Sequence, residues 1–156
     1  MEYNHFVIAR ALHILGVVIW IGGVAFVTTV LIPAIRHSQT ADNQLSLFEM
    51  LEGKFSFQAK FTTLLTGLSG FYMLHVMNAW SGMNWWIHLM IFVWIIFTLV
   101  LFVLEPLFLH KWFHERAQKN GKKAFLTLQV MHIILLSISL LAVIGGVAGA
   151  HGLFQL

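Results

Sequence analysis

Four histidines in apolar surroundings are the residues of this sequence whose type and position point to chemistry. Each lies inside an apolar run long enough to form a membrane-crossing helix; they are His13, His75, His88 and His132. Ionisable side chains are costly within such helices and face the interior of a bundle, so each is a functional candidate. Imidazole is a standard axial ligand of haem iron, and two imidazoles suit electron transfer rather than oxygen chemistry. The four histidines therefore predict a bis-histidine haem b.

Copper is the alternative cofactor. Residues 73–90, MLHVMNAWSGMNWWIHLM, combine methionines with two of these histidines, and thioether and imidazole ligands suit copper(I). Met73 and Met77 share one side of a helix, whereas His75 points elsewhere, so one helical segment does not bring all three to one ion. Methionine is also an ordinary filler of apolar cores.

The composition is that of a membrane protein. Hydrophobic residues make up 59% of the 156 and charged residues only 10%, whereas soluble domains carry about 25% charged residues. The chain has no cysteine, which excludes disulfides, thiolate metal sites and iron–sulfur clusters. The net charge of +3 comes from residues in loops beside apolar runs, so it indicates membrane topology rather than nucleic-acid binding.

Four apolar runs are each long enough to cross a hydrocarbon core of about 30 Å. They cover about residues 6–35, 55–79, 85–109 and 124–150. Polar connections follow the first and third runs, at residues 36–54 and 110–123, and the connection between the second and third is short. We predict an all-α fold in which residues 1–156 form one integral membrane domain, a four-helix bundle running up-down-up-down.

Lysine and arginine set the expected orientation. Eight of the nine fall on the side of the two long connections, and only Arg10 falls on the other side. The positive-inside rule then places the long connections in the cytoplasm and both termini outside. Trp80, Trp85 and Trp86 of the short turn are expected in an aromatic belt at the outer interface.

Depth along the predicted helices sorts the histidines. At 1.5 Å per residue, His13 lies about 10 Å below the outer boundary, and His75 and His88 lie about 6 Å below it. His13 and His88 are on diagonal helices, which suits a haem in the bundle core, and His13 with His75 is the adjacent-helix alternative. His132 lies about 12 Å from the cytoplasmic side and would need a partner at the membrane edge to hold a second haem. The candidate partners are His37 and His110.

Helix 1 offers one broad face around its histidine. Arg10, His13, Gly16, Trp20 and Gly23 follow one another at spacings of three and four. The glycines would make room for a porphyrin plate, and Arg10 is placed one turn outward to pair with a propionate. In the alternative interpretation, the glycines only let neighbouring helices approach closely.

Residues 11–37, ALHILGVVIWIGGVAFVTTVLIPAIRH, resemble the first helix of two related groups of bacterial membrane proteins. One is the copper-resistance protein D family, and the other is the membrane protoporphyrinogen oxidase of haem synthesis, a four-helix protein that binds haem b. The residues that carry the resemblance are Leu12, His13, Trp20, Gly22 and Gly23. It implies a four-helix membrane fold with His13 as a haem ligand.

Residues 85–97, WWIHLMIFVWIIF, look like the Trp-Leu-His-x-Lys opening of the third helix in both groups. The resemblance places His88 at the histidine position of that pattern and implies a role for the start of this helix. Where the pattern has lysine, this sequence has Met90. The lysine belongs to the functional set of the oxidase, so the resemblance implies a relative that keeps the haem but not the oxidase reaction.

Together these features predict a multi-pass b-type cytochrome of the bacterial inner membrane. It would carry electrons through haem b near the outer face, to or from a membrane quinone or a periplasmic redox partner. The alternatives are a protoporphyrinogen oxidase-like enzyme and a copper transport or resistance protein. The sequence shows no acid–base dyad, nucleophile or phosphate-binding loop, so no catalytic residue is assigned. The glycine-lined helices of such a small chain are compatible with a homodimer, but no helix face is selected for it. The predicted cofactor-binding residues are His13, His88, His75, His132 and Arg10, of which the histidines would ligate the metal.

Overall fold

The computed structural model describes residues 2–38 and 41–153, and the regular elements of these two stretches are all helical. Helix α1 continues through a π-helical segment into α2, and α4 continues through a second π-helical segment into α5. In chain order the elements are α1 (Glu2–Phe26), the first π segment (Val27–Leu31), α2 (Ile32–Ser38), α3 (Ala41–Val76), a 3-10 turn (Ala79–Ser81), α4 (Trp85–Leu99), the second π segment (Val100–Leu109) and α5 (His110–Ala150). The all-α prediction is confirmed.

Side-chain contacts show that neighbouring helices run in opposite directions. His13 of α1 meets Thr66 of α3, whereas Gly23, further along α1, faces Phe55, which is earlier in α3. The same reversal holds between α3 and α4, and between α4 and the part of α5 that follows a bend at Asn120. We call the end that carries the start of α1 and residues 77–84 the outer end, and the opposite end the inner end.

Within the described stretches, three segments are long and apolar enough to cross a membrane. They are Tyr3–His37, Trp85–Leu109 and Lys111–Ala150. The second predicted run lies in α3, which falls short because hydroxyl side chains interrupt its apolar sequence. Those hydroxyls face inward, and five of them are buried: Ser56, Thr62, Thr63, Thr66 and Ser69. Large apolar side chains cover the outside instead, a distribution that suits lipid rather than water.

The two long connections are helical, which corrects the prediction of polar loops. Residues 36–54 belong largely to α2 and α3, and residues 110–123 begin α5. Leu45, Phe48 and Leu51 are spaced by three, so this part of α3 has an apolar face to bury. The α5 chain bends at Asn120 (φ −157°, ψ 85°), whose Oδ1 accepts a hydrogen bond of 3.1 Å from the Lys123 N–H.

An aromatic core closes the inner end. The ring centroids of Phe48 and Phe113 lie 5.0 Å apart, and that of Phe125 lies 5.6 Å and 5.3 Å from them. Ile32 and Ile35 of α2, both buried, pack against the same cluster. The segments predicted as loops are therefore held by packing, which fixes the helices at this end relative to one another.

We expect Phe125→Ala to lower the free energy of unfolding by about 3–5 kcal/mol, because a phenyl ring in a dense core leaves a cavity when it is removed. Phe125 is 1% exposed. Phe57→Ala is the control, since Phe57 is 77% exposed on α3 and should change stability by no more than about 0.5 kcal/mol. The measurement is unfolding of the detergent-solubilised chain by dodecyl sulfate, followed by circular dichroism. Equal losses in both variants would contradict the assignment of this core.

Candidate functional site

His13 is held by the backbone of the neighbouring helix. Its Nδ1 lies 2.9 Å from the carbonyl oxygen of Thr66 on α3 and 3.4 Å from Ser69 Oγ. A carbonyl oxygen only accepts, so Nδ1 carries the proton and Nε2 of the neutral ring has the free lone pair. Metal-ligating histidines have this arrangement, in which an outer hydrogen bond fixes the tautomer and orientation of the ring.

Gly70 makes room for this contact. A methyl group placed on Gly70 would lie 3.1 Å from His13 Cε1 and 3.3 Å from Nδ1. The missing side chain lets the ring approach α3 closely enough to reach the Thr66 carbonyl. Gly70 thus lets His13 reach its hydrogen-bond partner. The sequence of α3 alone does not reveal this role.

The glycines of α1 serve close helix packing. A methyl group on Gly16 would lie 2.5 Å from Thr66 Oγ1, and one on Gly23 would lie 2.7 Å from Phe55 Cε2. Both spaces are therefore taken by α3, and no porphyrin-sized gap lies beside either residue. Of the two interpretations of these glycines, the structure favours the one in which they let helices approach.

His132 has the same tautomer as His13 but a local partner. Its Nδ1 lies 2.9 Å from the carbonyl oxygen of Leu128, one turn earlier in α5. The ring lines a space of about 90 Å³ near the inner end, which we call the inner cavity. His37, a predicted partner, is exposed, and the side chain of His110 lies outside the described residues. The structure does not bring His37 to His132.

His75, His88 and Arg10 lie at the outer end with exposed side chains. His75 lies in the last turn of α3, the helix whose Thr66 carbonyl bonds to His13 of α1. His88 lies in the first turn of α4. Helix α1 packs along α3 over much of its length and meets α4 through side chains such as Trp20 and Phe97, whose ring centroids lie 4.8 Å apart. His13 thus lies against the helix that carries His75, but Gly70, which contacts His13, and His75 are five residues apart and point about 140° apart around α3.

A second space, which we call the outer groove, lies between α1 and α3 beside His13. Its volume is about 290 Å³, and it is open at the bundle surface. Leu12, next to His13 in sequence, and Ser69, which contacts the His13 ring, both line it, whereas His13 itself does not. The remaining lining is mostly apolar and includes His5, Ile8, Leu65 and Tyr72.

The methionine- and tryptophan-rich segment packs on glycines of α5. A methyl group on Gly146 would lie 3.0 Å from the sulfur of Met90, and Trp86 lies against Gly149. Trp86 is thus a packing residue rather than a member of an interfacial belt, whereas Trp80 and Trp85 are exposed. Among the described residues, no group of three or more histidine, aspartate or glutamate side chains is close enough to hold a metal ion.

An ion pair near the inner cavity was not among the predicted site residues. Glu105 Oε1 accepts hydrogen bonds from Ser56 Oγ, at 2.5 Å, and from Lys60 Nζ, at 3.2 Å. Glu105 lies in the second π segment, and π-helical turns occur frequently at functional sites. In the sequence, Glu105 stands out as the acidic residue of an otherwise apolar run. An acidic residue at that position is also typical of the end of a membrane-crossing helix.

No protein-family model, curated protein or solved structure matches this chain. The resemblance of residues 11–37 and 85–97 to the copper-resistance protein D and protoporphyrinogen oxidase groups therefore stays a prediction.

Proposed function

We propose that this chain is a membrane-spanning b-type cytochrome that holds haem b in its outer half, with His13 as an axial ligand. The observation that carries the proposal is the hydrogen bond from His13 Nδ1 to the Thr66 carbonyl. It leaves Nε2 free to bind iron and prevents the ring from turning away. The apolar exterior of the bundle supports its placement in a bilayer.

The volumes of the two spaces limit where a porphyrin would fit. Sites for cofactors of this size usually measure about 300–1,000 Å³. The inner cavity, at about 90 Å³, is too small, and the bundle core as packed does not accommodate the macrocycle. The outer groove, at about 290 Å³ and open to the side, approaches this range and is apolar. We therefore place the haem in the outer groove, partly facing lipid, rather than at the centre of the bundle.

The second axial ligand follows from the face of α3 that lines the groove. Leu65, Leu68, Ser69 and Tyr72 line it. At about 100° per residue, Val76 continues this stripe and His75 lies at its edge, beside Leu68. His75 is therefore the better candidate for the second ligand. His88 starts α4 and lies off this stripe.

Each residue of the site would have a definite task. The Thr66 carbonyl orients His13, the apolar lining excludes water, and Arg10 is exposed one turn outward, available to a propionate. When bound, the haem would supply one-electron redox chemistry. A quinone or a redox partner at the outer face would exchange the electron. The bias of lysine and arginine toward the inner end favours a cytoplasmic inner end and termini outside, in a bacterial inner membrane.

We expect the chain, expressed with ample haem and purified in detergent, to show a Soret band. Reduction with dithionite should produce the sharp α-band of a six-coordinate b-type haem, because two imidazoles hold the iron low-spin. His75→Ala should retain haem but give the broad spectrum of a high-spin, five-coordinate iron. His88→Ala should leave the spectrum unchanged. Absence of a Soret band in the wild-type chain would refute the proposal, and loss of the low-spin signal in His88→Ala alone would restore the diagonal pair.

A further inference from the structure

The inner cavity has a mostly apolar lining that includes a few polar groups able to bind water. It lies between the two π segments, and its polar lining residues include Ser56, Glu105 and His132. Trp20 also lines it, is 4% exposed, and its indole N–H has no hydrogen-bond partner among the described residues. A volume of about 90 Å³ holds about three water molecules at roughly 30 Å³ each. Water in the cavity would satisfy the Trp20 donor.

Glu105 brings an exchangeable proton site to this cavity. Its carboxylate is paired with Lys60 and accepts a hydrogen bond from Ser56. The other ionisable side chains that line the cavity are Glu52 of α3 and His132 of α5, while α1 contributes only uncharged residues. A carboxylate held within a membrane helix is costly to keep and therefore marks an ion or proton pathway.

A row of buried hydroxyls continues from this cavity along α3. Ser56, Thr62, Thr63, Thr66 and Ser69 occupy its inward side. The 13 steps from Ser56 to Ser69 rise about 20 Å, and the first six of them, about 9 Å, pass residues without a hydroxyl. Thr63 is 0% exposed and Thr66 is 5% exposed. Neither hydroxyl has a hydrogen-bond partner among the described residues. Buried polar groups without partners usually bind ordered water. Hydroxyls and water together provide the donors and acceptors that relay a proton.

The row reaches the outer surface through Ser69. Ser69 contacts the outer groove, which is open and is also lined by Tyr72 and His5. Between the inner cavity and the outer groove the helices are closely packed. The Trp94 ring occupies the space beside Gly67, and the Thr66 side chain occupies the space beside Gly16. Such packing leaves no opening for a hydrated ion. The hydroxyls of Thr62 and Ser69 donate to carbonyls of α3 itself, so single water molecules beside Thr63 and Thr66 would have to complete the chain of hydrogen bonds.

We propose that the hydroxyl row of α3 conducts protons between the inner cavity and the outer groove, with Glu105 as the entry site. At the inner end, the Glu105 carboxylate takes a proton from a hydronium ion: an O–H bond of hydronium breaks, leaving water, and the O–H bond of the carboxylic acid forms, so that the charge of Lys60 is then no longer balanced. The carboxylic acid gives the same proton to the next water, the hydroxyls pass it outward, and Ser69 delivers it to the groove. One positive charge crosses and no covalent bond changes otherwise. This activity does not depend on haem binding.

The test is proton uptake by vesicles that contain the purified full chain and an internal pH dye. A potassium diffusion potential set by valinomycin drives the flux. We expect wild-type vesicles to take up protons at least tenfold faster than protein-free vesicles, and Glu105→Gln and Thr63→Val each to lower the rate by about tenfold, the factor expected for a lost hydrogen bond to a charged group. Thr63→Ser, which keeps a hydroxyl, should retain the wild-type rate.

Two matched variants control for general effects of substitution. Glu115→Gln removes an exposed carboxylate that pairs with Lys111 at 4.0 Å, and Thr127→Val removes an exposed hydroxyl bonded to the Lys123 carbonyl. Both should conduct as the wild type does. The proposal is overturned if wild-type vesicles are no faster than empty ones, if Glu105→Gln conducts normally, or if a sodium dye shows that sodium crosses at the same rate. Circular dichroism of each variant separates lost conduction from lost folding.

Discussion

Replacement of His13 by alanine is expected to remove haem from the purified chain, lowering the haem bound per protein by at least about tenfold. Even outer hydrogen bonds to a metal ligand are worth about 10–100-fold in affinity, so loss of the ligand itself should cost no less. His13 is the histidine whose Nδ1 is bonded to the backbone of a neighbouring helix, through the Thr66 carbonyl. The measurement is the pyridine haemochrome content of wild type and variant, purified side by side.

Two further variants separate ligation from folding. His37→Ala removes an exposed histidine of α2 and should keep the full haem content. His13→Gly should lose haem as His13→Ala does, and external imidazole should restore part of the Soret absorbance by filling the vacated position. Full haem content in His13→Ala, with the α-band intact, would show that His13 supports the helix pair and does not bind iron.

Gly67→Ala is expected to destabilise the bundle by about 1–3 kcal/mol, after the gain of about 1 kcal/mol that alanine brings to a helix in place of glycine. A methyl group at this position would lie 2.5 Å from both Cε2 and Nε1 of the Trp94 indole. Overpacking of a filled core costs about 1–3 kcal/mol. The shift would also break the 2.9 Å hydrogen bond from Trp94 Nε1 to the Thr63 carbonyl, worth about 1 kcal/mol. Dodecyl sulfate unfolding in mixed micelles gives the difference directly.

Gly22→Ala is the matched control for this substitution. Gly22 lies in α1 with no atom within 4 Å of an added methyl group. Because alanine favours a helix over glycine by about 1 kcal/mol, this variant should be as stable as the wild type or more so. If both substitutions shift stability equally, the contact between α3 and α4 at Trp94 is not close-packed as described.

Much of the fold could be predicted from hydropathy, because length and apolarity are properties of single segments. The apolar runs around residues 6–35, 85–109 and 124–150 lie within helical segments that the structure also finds long and apolar enough to cross a membrane. The inner connections were predicted as loops because their sequence is polar on average. Averages conceal the three-residue spacing of Leu45, Phe48 and Leu51, which buries one face against α2 and α5.

The candidate site was less predictable. His13 was found because an ionisable residue within an apolar run is conspicuous in sequence. Its neighbours Thr66 and Gly70 are ordinary membrane-helix residues, and only the pairing of α1 with α3 gives them a role. The contact of Lys60 with Glu105 likewise joins residues 45 positions apart.

Residue type and local spacing suffice to predict an all-helical chain with long apolar helices and with histidines inside the apolar runs. Which helices touch, and how closely, follows from the tertiary structure. It turned the hydroxyls of α3 inward, filled the glycine faces with Trp86, Trp94 and His13, and left open space at the two ends of the row. The physical reason is that packing depends on steric fit between side chains far apart in sequence, and no single segment contains that information.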